Sequence, residues 1–385
     1  ASGGCRVAHQ AACRLFVNSK VTMDALLESH YQATLGRCRS QPTILVPQAT
    51  TTLNDSAHPL IVHDTLAITP QGTPLGLIDV QYRARAPDGP GQRPRAASVS
   101  LHNKESGKWL DSHERSTRLK RDLGGPRVVS ICDRTGDVYE LLLAAQDDAA
   151  ADVLIRARHP RKVITGGRPS ITEWLETQDA SGLRTVHVPR RGNQPAHVAR
   201  LSVRFGRITL RPPCQKTPLP PVTIDVIRTT EIHPPDGIKP LDWTLLTTVS
   251  TTTHAEACER IDWYTRRWDI EVYHRTLKSG CRIEGRQFGH ADRLEACLGV
   301  DLVVAWRCFA LARHHRESPD APCSVDFEKE QWKALLVGTG TDHLPEDADE
   351  PTLREAVRRV AKLGGFLGRK NDGEPGTQTL WRGLQ

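Results

Sequence analysis

The chain has 385 residues, enough for one large core or two smaller ones, and 38% hydrophobic against 25% charged residues is the balance of a globular protein. It contains no run of 18 apolar residues, which excludes a bilayer-spanning helix. Its ten cysteines include no CxxC pair and no close Cys/His cluster, so they read as reduced cytosolic packing thiols and not as a zinc site. A net charge of +7 favours a polyanionic partner without deciding for one.

The sequence opens Ala1-Ser2-Gly3-Gly4-Cys5-Arg6 with neither an initiator Met nor a signal segment, and Met23 is its one methionine; a partial reading frame and a cytoplasmic location are the expectation. Thr22 starts a helix expected over 22–38, with Met23, Leu26, Leu27 and Tyr31 at helical spacing. Thr43-Ile44-Leu45-Val46, between Pro42 and Pro47, reads as a buried strand, and 60–68 and 75–82 flank a turn at 70–74 as a hairpin. A Pro, Gly and Arg-rich loop at 86–96 precedes a helix near 105–121. A strand over 127–133 then ends in Asp133, followed by a helix at 137–149 and a strand at 152–158. Meandering strands followed by helix and strand in alternation predict an α/β fold with a mixed sheet flanked by helices. Residues 160–240 read as a β-rich insertion, with strand-like runs at 185–188 and 199–203. After it come a strand at 243–248, a long helix at 253–278, and helices near 291–315, 326–337 and 351–363.

On that long helix, Tyr264, Arg267, Glu271 and Lys278 fall within an arc of about 60° at 100° per residue, with Arg275 beside them. Trp263, Ile270, Tyr273 and Leu277 point mostly the other way. One explanation is a solvated face with an i,i+4 Arg267–Glu271 pair worth a few tenths of a kcal/mol. The other brings in Asp133, because a carboxylate at a strand end and one on a later helix can assemble a site for divalent metal. Two Mg²⁺ ions so held activate a water or a 3′-OH and stabilise the leaving oxygen of a phosphodiester.

The spacing Tyr264-x-x-Arg267-x-x-x-Glu271, then Lys278 seven residues on, resembles the YREK signature of the bacterial insertion-sequence DDE transposases of the IS-four type. The likeness continues in Cys132-Asp133-Arg134 and over 105–110, 156–162, 240–243 and 363–366. The resemblance implies an RNase H-like mixed sheet interrupted by a β-rich insertion, with a helical C-terminal region. Residues 1–40 would be the remnant of an N-terminal helical DNA-binding region. The core would span 41–159 and 241–315 around the insertion at 160–240, and the helical region 316–385. Carried over by position, Asp133 and Glu271 are implied as catalytic, metal-binding carboxylates for Mg²⁺, with Mn²⁺ as a substitute. Tyr264, Arg267 and Lys278 are implied as contacts to transposon-end DNA, Trp243 as the aromatic that stacks on a flipped base, and Arg156, Arg158 and Arg161 as phosphate contacts. The partners implied are double-stranded DNA and a second copy of the chain.

The sequence departs from the family at Gln48-Ala49-Thr50-Thr51, where Ala49 stands in the place of the first catalytic Asp. A methyl group cannot bind Mg²⁺, and loss of one anionic ligand of three is expected to abolish two-metal catalysis. Asp55 and Asp64 are carboxylates that could lie nearby, but neither matches the motif. A nearly absent loop between His58 and Leu60, and Thr135 where the family often has Glu, point to decay more than to an engineered change. The expectation is a cut-and-paste transposase by descent, impaired in cleavage. The alternatives are a catalytically silent DNA-binding protein that inhibits transposition, or a relic.

Overall fold

The computed structural model describes residues 11, 14–16, 18, 20–53, 60–84, 107–167, 169–188, 195–214, 219–280, 291–340, 348–370 and 372–384. The loop expected at 86–96 and Asp55 lie outside the described residues. Helix α1 (Met23–Cys38) begins where the sequence indicates, the Thr22 hydroxyl accepting from Ala25 N at 3.2 Å. Its buried stripe Met23, Leu27, His30, Thr34 and Cys38 is spaced by three and four residues and so lies along one face.

Strands β1 (Thr43–Leu53), β2 (Leu60–Ile68) and β3 (Pro74–Ala84) form an antiparallel meander. β1 is longer than Thr43-Ile44-Leu45-Val46 because it runs on through Pro47. That residue falls in a gap of the β1–β2 pairing, between Leu45↔Ile68 and Gln48↔Thr65. After α2 (Gly107–Leu123), β4 (Arg127–Cys132) lies parallel to β1. Helix α3 (Tyr139–Ala144) leads to β5 (Asp152–Arg156), parallel to β4. α3 is six residues long, much shorter than the helix expected at 137–149, because Asp133 caps a separate 3₁₀ turn (Arg134–Gly136) and Asp137 is bonded to the segment after β5.

A short α4 (Ile171–Glu176) precedes β6 (Gly182–Val188), β7 (His197–Leu210), β8 (Val222–Ile232) and β9 (Asp242–Thr247), which pair antiparallel in sequence order. β9 also pairs antiparallel with β5, so all nine strands make one mixed sheet in the order β3-β2-β1-β4-β5-β9-β8-β7-β6. The strands of residues 160–240 thus continue the sheet of the core. Alternate residues reach opposite faces. Ile131, Leu154 and Leu245 join one apolar cluster, while Cys132, Ile155 and Leu246 join the other.

The long helix expected over 253–278 is broken. A Thr253–Glu256 capping box starts α5 (His254–Thr265), and α6 (Trp268–Arg275) follows, then a π turn (Thr276–Gly280). At the break, Arg266, Arg267 and Asp269 N–H groups bond three residues back, which tightens the coil. Contacts with distant segments hold it there: Arg266 Nε donates to the Pro70 backbone carbonyl at 3.2 Å, and Asp269 pairs with the Arg313 side chain. Helices α7 (Ala291–Glu317), α8 (Lys329–Gly338), α9 (Leu353–Leu363) and α10 (Thr377–Leu384) complete the chain; α10 was not among the expected elements. Leu311, Phe327, Trp332, Val357 and Leu380 form the core of this helical region. No described helix is long and apolar enough to cross a membrane.

Candidate functional site

β1 and β4 run parallel in the register Pro47↔Ile131, so Ala49 and Asp133, two residues further along each chain, end up side by side. α6 packs on β1 and brings Glu271 to the same place. Ala49, Asp133 and Glu271 line one cleft of about 660 Å³, together with Lys108, Arg158, Arg267 and His274. Asp133 Oδ1 accepts from Thr135 N (2.7 Å) and Thr135 Oγ1 (2.5 Å), and Glu271 Oε1 accepts from Arg267 Nη2 at 2.6 Å. The i,i+4 Arg267–Glu271 pair is therefore formed, and it stands half-buried on the wall of the cleft. Burial works against the Arg267 charge, but Tyr264, Glu271 and Asp133 more than offset it and hold the guanidinium above its usual range.

Tyr264, Trp243 and Arg156 form a neighbouring cluster and do not line the cleft. The Trp243 and Tyr264 rings meet edge to face at 5.5 Å, and the Arg156 guanidinium lies 5.9 Å from the Trp243 ring centre. Tyr264 is buried, which raises its phenol above the ordinary value, while Trp243 is half-buried. Burial also lowers Arg156 from its usual value. Lys278 sits in the π turn, half-buried and outside the lining. The break at 266–267 and the wider π turn take it off the straight-helix arc.

Arg161 is placed otherwise than a solvent-facing phosphate contact would be. It is buried against Asp137, donating from Nε to Oδ1 at 2.9 Å and from Nη2 to the Asp137 carbonyl at 2.9 Å. Asp137 also accepts from the backbone N–H groups of Arg158 (2.8 Å) and His159 (3.0 Å). Arg161 and Asp137 together brace the turn that carries the exposed Arg158 to the cleft.

Lys108, His274 and Asp137 were not singled out by sequence as parts of the site, whereas Asp64, named there as a carboxylate that could lie near position 49, does lie beside it. His274 could have been singled out, since it follows Glu271 by three residues on one helix. Asp64 is the cross-strand partner of Ala49 and is fully buried; its Oδ2 lies 2.8 Å from His274 Nε2, and its Oδ1 has no partner. Next to it His63, bonded to Thr50 Oγ1 at 2.9 Å, is pushed down to about 3 by burial, with Lys108 and His274 adding to the effect.

Mg²⁺ takes oxygen ligands, commonly one or two carboxylates completed by water and substrate phosphate. Asp133 and Glu271 fit that requirement for a single ion. Position 49 offers only a methyl, and among the described residues no three His, Cys, Asp or Glu side chains are grouped to hold one metal ion. The donor set does not fit a two-ion site.

A protein-family model described as the transposase Tn5 dimerisation domain matches residues 303–385, which take in most of α7 and all of α8, α9 and α10. The match supports a transposase family of the Tn5 type, and a dimerisation domain in this segment points to a homodimer.

Proposed function

We propose that the chain is a DDE-type transposase by descent that holds DNA ends at the Ala49–Asp133–Glu271 cleft and has lost most of its cleavage chemistry. The observation that carries this is the convergence, at one cleft, of three positions far apart in sequence that the YREK resemblance marks as catalytic. The RNase H-like reading of the core is supported by the β1–β3 meander followed by parallel β4 and β5. Arg158, Arg267 and Lys108 would receive backbone phosphates at the cleft, with Lys278 outside it. Trp243, backed by Tyr264 and Arg156, would stack on a base turned out of the duplex, an interaction of about 1–3 kcal/mol against a flipping cost of a few. Asp133 and Glu271 would hold one Mg²⁺ or Mn²⁺, which supplies positive charge beside the phosphate. Ala49 favours a second role for the same protein: occupying ends, or pairing with active subunits, without cutting.

The test uses labelled duplexes taken from the DNA on either side of the coding sequence, where a transposon's ends would lie. The parent chain is expected to bind them, with an affinity that falls steeply with salt as Arg and Lys displace counterions. Lys278→Glu is expected to weaken that binding. In Mg²⁺ or Mn²⁺ the parent nicks at background, and Ala49→Asp nicks faster by about two orders of magnitude, the scale on which one catalytic group counts. A parent that nicks as well as the Asp variant sinks the account of the vacant ligand. Absence of DNA binding in both sinks the function.

A further inference from the structure

The helical C-terminal region holds a second cleft, of about 630 Å³, which shares no lining residue with the first. One wall is α9, where Lys362 lies about one turn beyond the adjacent Arg358 and Arg359; Arg369 and Lys370 face them from beyond a left-handed turn at Gly368 (φ 64°). The carboxylates of the cleft are already engaged. Glu374 accepts from Arg358 at 2.9 and 3.3 Å and lies 3.8 Å from Arg354 and 3.6 Å from His315. Glu355 caps α9 by accepting from Thr352 N at 3.0 Å. Arg359 is bonded to the neutral Thr339 hydroxyl at 2.8 Å. Lys362, Arg369 and Lys370 are exposed, and among the described residues no carboxylate pairs with their side chains.

Guanidinium forks and ammonium groups converging on one groove suit phosphate oxygens. A second copy of the chain suits this groove poorly, since a two-fold contact through it sets like charges against each other. Leu367, exposed in the same lining, can lie against a sugar face. We infer that this cleft takes the phosphate backbone of duplex DNA, in a contact separate from the Ala49–Asp133–Glu271 cleft and inside the segment matched to a dimerisation domain. This rests on the reading of the chain as a DNA-binding transposase.

The test compares the full chain with the triple variant Lys362→Gln/Arg369→Gln/Lys370→Gln, using fluorescence anisotropy on a labelled duplex over a salt series and sedimentation for self-association. The three positions are exposed, so the Tm is expected to hold. The triple variant is expected to bind duplex about tenfold more weakly, with a log–log salt slope shallower by about 2 to 3. Self-association is expected to be unchanged. Unchanged affinity and slope overturn the inference, and so does lost self-association with intact DNA binding, which assigns the cleft to the dimer contact. Inorganic phosphate displaced from the cleft no more easily than duplex marks a free-anion site and also overturns it. If the parent binds no duplex under any condition, the proposed function falls as well. If the parent binds duplex and the triple variant binds equally, only this cleft is misassigned.

Discussion

Ala49 and Asp64 face each other across the β1–β2 ladder. Directly opposed residues of an antiparallel pair point to the same side, with Cβ atoms about 4.5–5.5 Å apart. Asp64 lies in that space fully buried, one oxygen held by His274 and the other without a partner. An Asp at position 49 would therefore bring a second carboxylate against a first that has no access to water. Two carboxylates crowded in that space repel each other unless a cation lies between them. Ala49→Asp is expected to lower stability by about 1–3 kcal/mol in metal-free buffer, within the range for uncompensated buried charge. Mn²⁺ is expected to return part of the loss, and Ala49→Asp/Asp64→Asn to avoid most of it. Urea denaturation of the three proteins with and without Mn²⁺ checks this; a single variant as stable as the parent in EDTA would mean that the two side chains do not compete for one space. The double variant is also the better partner for the nicking comparison, because it restores the missing ligand without crowding.

In the helical region, two helices approach so closely that only glycine fits at the crossing. A Cβ on Gly383 of α10 would stand 1.8 Å from the Val360 carbonyl oxygen of α9, and one on Gly364 would stand 2.1 Å from Thr379 O. Gly383→Ala is expected to push α10 off α9 at a cost of about 1–3 kcal/mol, as overpacking does. It should weaken self-association in sedimentation as well, because both helices belong to the segment matched to a dimerisation domain. Gly338→Ala, with nothing within 4 Å of the added carbon, serves as the neutral control. These elements also show what a sequence can and cannot disclose. Thr22 indicated a helix start that its cap bears out, and the apolar runs of β1, β2, β4 and β5 placed the strands, because caps and periodicity are local. The break between α5 and α6 was not legible: its residues suit a helix, and it depends on Pro70 and Arg313 far along the chain. α10 is eight residues long and gives too little pattern to read. At the cleft, Asp133 and Glu271 were legible from their motifs. Asp64 needed the hairpin register, and nothing in its spacing separated the buried Arg161 from a surface arginine.

Across the whole molecule, three buried histidines tie the layers around the β1–β3 meander together as neutral rings. Burial holds His63 down to about 3 and His30 and His113 to about 4, with Arg37 adding to the effect on His30. His30, on α1, accepts from Leu77 N on β3 at 3.0 Å and stands edge-on to Trp306 of α7 at 4.7 Å. His63 on β2 stands edge-on to Trp109 of α2 at 4.7 Å, and His113 on α2 is bonded to Ser130 of β4 at 3.1 Å. A proton on His30 Nε2 would remove the lone pair that receives the Leu77 N–H. In the unfolded chain these rings titrate near 6.5, above their folded values, so acid favours the unfolded state. Their contribution is fully present above pH 6.5 and is lost as the pH falls from there toward 4 and 3. Each ring is expected to cost on the order of 2 kcal/mol between pH 6.5 and 5. Tm measured from pH 7.5 to 5 should drop steeply below 6.5. His30→Gln, which keeps an acceptor that cannot take up a proton in this range, should lessen the drop by about one ring's share. If the acid limb of that variant matches the parent's, His30 is not one of the groups that set it.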